Sequence, residues 1–76
     1  METNPPGGIF ATARRNILVS MVDKGLTKNG LAKLAGIPST SFDRNINNPE
    51  KFSFRDLGSI AQALDKELTD LLKDAA

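Results

Sequence analysis

Ser39, Thr40, Asp43, Arg44 and Asn47 bring two hydroxyls, a carboxylate, a guanidinium and an amide into one short stretch of the chain. Such groups rarely make or break bonds without help, and the usual help is missing. The 76-residue sequence has no histidine and no cysteine. That removes the commonest general base, the commonest zinc ligands and any disulfide framework. No carboxylate pair stands in a recognisable catalytic setting, so the expectation is a protein that is not an enzyme and uses neither metal nor cofactor. What the five side chains do well is recognition. In the major groove, arginine pairs bidentately with guanine and asparagine with adenine, aspartate accepts from cytosine, and serine and threonine take several partners. Ser39, Thr40, Asp43, Arg44 and Asn47 are therefore the candidate base-reading residues.

To act together they must share a face. The spacing predicts a helix over about residues 38–47. Pro38 suits a first helical turn, where its missing N–H is not needed. Asn47-Asn48-Pro49 stops the helix, because proline disfavours helical geometry in the residue before it. At about 100° per residue, Phe42 and Ile46 mark the buried side and Arg44 points almost opposite. Thr40, Asp43 and Asn47 lie between, and Ser39 flanks.

That helix needs a brace. Thr27 is a good N-cap for a preceding helix, and Leu26 can pack on Leu31 as a hydrophobic staple. Leu31, Ala32, Leu34 and Ala35 supply its apolar surface, and Gly36 ends it. Two helices crossing steeply need a sharp reversal, for which glycine gives a left-handed backbone at no steric cost. The close approach that follows needs a small residue four before the glycine, and Ala32 stands there. The set Ala32, Gly36, Ile37, Phe42 and Ile46 is far more specific than any one member. Gly30 is the misfit. Inside a short helix it costs about 1 kcal/mol relative to alanine, and it permits close approach of either another helix or a phosphate.

The remaining elements complete a core. Residues 1–8, METNPPGG, lack any apolar period and read as a flexible arm without the Arg or Lys that groove-entering arms carry. Residues 9–76 read as a single domain. Phe10, Ala13, Ile17, Leu18, Met21 and Val22 recur at helical spacing up to Lys24, with Gly25 as the stop. Ser53-Phe54-Arg55-Asp56 matches a capping box, with Phe52 and Leu57 as a second staple. Leu57, Ile60, Ala61 and Leu64 then repeat, and a last helix runs from residue 68 to about 74 with Leu68, Leu71 and Leu72 turned to the core. The fold class is all-α: five helices, no strand signal, no internal repeat.

Charge is uneven. Residues 14–55 carry eight basic side chains against three acidic ones, while the rest carries two against six. A basic middle suggests one anion-facing side. Lys28, Asn29, Asn48 and Lys51 are the candidate phosphate contacts, with Lys33 and Arg14 as weaker ones, joined by N–H groups at the starts of the second and fourth helices. No apolar run approaches membrane-spanning length, no secretory signal is visible, and a cysteine-free chain fits a reducing cytoplasm.

The strings LTKNGLAKLAGIPSTSF and PEKFSFRDLGSIAQALDKELTDLL resemble the two signature segments of the Cro/phage-repressor-like (lambda repressor-like, XRE class) helix-turn-helix proteins. The likeness runs from about Arg15 to Leu72. It implies a compact five-helix bundle in which the second helix braces the DNA backbone and the third reads the major groove. The family's base-reading positions fall on Ser39, Thr40, Asp43 and Arg44. Its frequent glutamine at the start of the second helix is Lys28 here, which can touch a phosphate but cannot make the amide bridge to the start of the third helix. An acidic Asp43 on the reading face is also unusual. The resemblance implies a cytoplasmic regulator of phage or prophage type in a bacterial host, bound to a double-stranded DNA operator, with no small-molecule ligand or membrane. Homodimer binding to a palindrome and monomer binding to an asymmetric site are both open at this point. The alternative is a protein-interaction module on the same bundle, such as an antitoxin or a phage accessory factor. Such a module calls for apolar or aromatic anchors on the third helix, and its exposed side has none.

Overall fold

The computed structural model describes residues 8–73; apart from Gly8, the arm expected over residues 1–8 lies outside them. The elements are α1 (Ile9–Lys24), α2 (Lys28–Ala35), α3 (Ser39–Asn45), a 3-10 turn (Pro49–Lys51), α4 (Phe54–Ala63) and α5 (Leu68–Leu72). There is no strand among the described residues. The described residues form an all-α bundle of five helices, as the apolar spacing predicts.

Every helix places a fully buried side chain in one core: Ile17 from α1, Leu31 from α2, Phe42 from α3, Ile60 from α4 and Leu71 from α5. Each such burial contributes about 1.5–3 kcal/mol. Helix α2 packs on α3 and α4, α1 packs on α5 and the 3-10 turn, and α4 packs on α5. The Phe42 and Phe52 rings meet at a centroid separation of 5.7 Å and an angle of 48°, a tilted arrangement that aromatic pairs favour. Phe42 thus ties α3 to the segment entering α4.

Local chemistry sets the helix ends. The Thr27 hydroxyl accepts from the Gly30 N–H at 3.0 Å, and the Ser53 hydroxyl accepts from the Asp56 N–H at 3.0 Å. Gly36 is left-handed, with φ 72°, and the Ile37 N–H reaches back to the Ala32 carbonyl at 2.9 Å. This closure brings Ile37 over Ala32, both buried, and points the chain into α3. Gly25 closes α1 in the same way, with the Leu26 N–H on the Met21 carbonyl at 2.8 Å. The end of α4 repeats the pattern without a glycine. Asp65 takes φ 59°, and the Lys66 N–H bonds the Ala61 carbonyl at 2.9 Å.

Three expectations are corrected. Helix α3 is shorter than residues 38–47: Pro38 precedes it in an extended conformation and Asn45 is its last residue. Ile46 keeps helical angles and donates to the Phe42 carbonyl at 2.8 Å, after which the Asn48 N–H turns back to the Asn45 carbonyl at 2.9 Å. Pro49 forces Asn48 out of helical geometry, and the unwinding spreads back to Asn47. Val22 and Leu34 do not join the core and are 82% and 62% exposed. Each sits beside a buried stripe, of Ala13, Ile17 and Met21 in one helix and of Leu31 and Ala32 in the other, but turned outward from it. The last helix ends at Leu72, and residue 74 lies outside the described part.

Candidate nucleic-acid interface

Helix α3 is held from below and bare above. Phe42 and Ile46 are buried at 0% and 1% exposure, and Ile37 and Ala32 close the corner behind them. Ser39, Thr40, Asp43 and Arg44 are all exposed on the helix itself. Asn47 is exposed too, but it stands in the turn after α3 rather than on its surface. The helical wheel therefore holds for four of the five polar residues, and Asn47 presents its amide from a loop.

Arg44 has no side-chain hydrogen-bond or ion-pair partner among the described residues. Its neighbour Asp43 is engaged elsewhere, with Oδ1 3.8 Å from Nζ of Lys28 at the first position of α2. Lys28 thus links the two helices, reaching Asp43 one turn beyond the start of α3. The Asn47 amide oxygen accepts from a guanidinium N–H of Arg14 in α1 at 3.4 Å, a long and weak bond. This contact brings Arg14 beside the turn, where Phe10, Arg14, Asn47, Asn48 and Glu50 line a shallow hollow.

Lys28, Asn29, Asn48 and Lys51 are exposed, the first two opening α2, Asn48 just before the 3-10 turn and Lys51 at its end. Lys33 is exposed near the end of α2. Gly30 resolves one question. A Cβ there would meet Thr27 Oγ1 at 3.2 Å and Leu26 Cδ2 at 3.8 Å, and nothing from another helix. Its small size is not needed for helix packing within the bundle.

Contacts between residues distant in sequence include two that bear on the site and its support. The Lys28–Asp43 pair joins two residues unusual for the resemblance, and opposite charge on adjacent helices is the signal that points to it. The Asn16 amide donates to the carbonyls of Leu71 at 2.8 Å and Lys73 at 2.9 Å, clamping the end of α5 onto α1. Its signal was a polar residue in register with the stripe of Ala13, Ile17 and Ser20. Among the described residues, no group of three or more His, Cys, Asp or Glu is placed to hold a metal ion, and no helix is long and apolar enough to cross a membrane.

A helix stapled to a core through a glycine corner, with its polar face outward, defines the helix-turn-helix class. Residues 16–76 match a family model described as a Cro/C1-type HTH DNA-binding domain. The chain belongs to that family and carries a DNA-binding domain of the regulator type. No curated protein and no solved structure gave a match.

Proposed function

We propose that this protein is a sequence-specific transcription regulator of phage or prophage type that acts by occupying an operator. The observation that carries this reading is the outer surface of α3, where Ser39, Thr40, Asp43 and Arg44 stand exposed over a buried Phe42. These side chains match the donors and acceptors of base edges in the major groove, and α3 is short enough to lie across it. Arg44 is assigned to guanine, Ser39, Thr40 and Asp43 to flanking edges, and Asn47 to a base at the margin of the footprint. Lys28, Asn29, Asn48 and Lys51 contact phosphates on either side, with Arg14 and Lys33 at the periphery.

Bound in this way, the protein covers the operator and excludes polymerase or a competing repressor. A palindromic operator takes two copies with recognition helices about 34 Å apart. The absence of large apolar or aromatic groups on the outer side of α3 disfavours a protein-binding role for this face, since hot spots are usually built on such anchors.

The test is enrichment from a pool of randomised duplexes followed by binding to enriched and unselected DNA across a salt series. Operator reading predicts enrichment of a defined sequence and log K falling with log salt by roughly 0.9 per neutralised phosphate. A protein that enriches nothing and shows no salt-sensitive affinity is not a DNA reader.

A further inference from the structure

Asp43 poses a problem for any surface that meets DNA. A carboxylate facing the duplex is repelled by the phosphates, and here it is 72% exposed on the helix assigned to base reading. Its counter-charge is Lys28, 48% exposed, from the N-terminal turn of α2, with Nζ 3.8 Å from Asp43 Oδ1. In the free protein an exposed pair of this kind adds little to stability. Between protein and duplex, water is displaced, the effective dielectric falls, and the same pair interacts more strongly. At 3.8 Å the contact is an ion pair and not a hydrogen bond, so the carboxylate keeps its oxygen lone pairs, and a carboxylate only accepts. The donors available in the major groove are the exocyclic amino groups of cytosine and adenine.

We propose that Lys28 and Asp43 act as one unit in base selection. Lys28 holds the carboxylate at the reading surface and offsets its charge, so that Asp43 accepts from a base amino group instead of repelling the duplex. Lys28 is then a positioning residue for specificity as well as a cation near the backbone. This rests on the assignment of α3 to base reading. Lys28 opens α2 and reaches a carboxylate one turn beyond the start of α3.

The consequence is distinctive. A plain phosphate lysine, when removed, weakens all DNA alike and lowers the salt slope by roughly one unit. A lysine that works through Asp43 changes which base pair is preferred.

The experiment uses duplexes enriched by the wild-type protein, together with single-base-pair variants of the enriched sequence. Wild type, Lys28→Met, Asp43→Asn and the double variant are titrated against each. Both positions are exposed, so all four proteins are expected to melt at closely similar temperatures. We expect each single variant to lose about tenfold preference at the same base pair, within the range of a base contact, and the double variant to lose no more than either single one. Asp43→Asn also gains affinity for unselected DNA. Uniform weakening by Lys28→Met with losses that multiply in the double variant overturns the proposal and leaves the DNA-reading assignment standing. Failure of the wild-type protein to enrich any sequence overturns both.

Discussion

Arg44 is the side chain with most to gain from a partner outside the molecule. A guanidinium carries five N–H donors in a fixed fork, and none has a partner among the described residues. Binding guanine therefore breaks no internal bond. Asn47 differs, because its amide oxygen already accepts from Arg14 and must exchange that bond for a base. Lys51 differs again. It ends the 3-10 turn, exposed and without an ion-pair partner among the described residues, and its assigned role is charge alone. Lys51→Ala is expected to weaken binding to enriched and unselected duplexes by the same factor and to lower the salt slope by roughly 0.9, as measured by titration at several salt concentrations. A change in base preference would contradict that assignment. Gly58 tests the backbone instead. It lies inside α4, where an added Cβ meets nothing within 4 Å. Gly58→Ala is expected to stabilise the protein by about 0.5–1 kcal/mol, seen as a higher midpoint in urea at unchanged slope.

At the scale of elements, α5 is the one most in need of outside support. It has only five residues, too few to persist alone in water. Leu71 fixes it in the core, the Glu67 N–H donates to Asp70 at its start, and Asn16 takes up carbonyls at its end. Asn16→Ala leaves those carbonyls without the amide and is expected to cost about 1–2 kcal/mol in denaturant unfolding, with DNA affinity unchanged well below the transition. Much of this architecture was legible in the chain because it rests on neighbouring residues. Thr27 and Ser53 announce their helices, Gly25 and Gly36 end theirs, and the period of Phe42 and Ile46 separates the buried from the open side of α3. What was hidden depends on distant partners or on a residue type that usually signals otherwise. Asn16 meets α5 across more than fifty residues of sequence, and its register with Ala13, Ile17 and Ser20 marks the residue but not its partner. Asp65 closes α4 in a left-handed conformation normally marked by glycine, with its carboxylate 3.0 Å from Lys24. The shortening of α3 followed from the reach of Pro49 back through Asn48, which moved Asn47 off the helix.

Across the whole molecule, charge and burial divide the labour. The acidic C-terminal part has two of its carboxylates beside lysines, Asp65 by Lys24 at 3.0 Å and Asp70 by Lys73 at 3.9 Å. Among the described residues, Lys33, Arg44, Lys51 and Arg55 of the basic middle have no such partner, and they leave positive charge available to a polyanion. A single small core holds all five helices, so the reading helix is rigid only while that core is intact. The central claim is that α3 reads bases, and Arg44→Ala tests it most directly. The quantity to measure is the ratio of affinities for enriched and unselected duplexes at one salt concentration, for wild type and variant, with folding verified by thermal melting. The expected result is a ratio smaller by roughly 1–3 kcal/mol in the variant, with affinity for unselected DNA much less affected. An unchanged ratio in a folded Arg44→Ala protein would contradict the assignment of α3 as the reading helix.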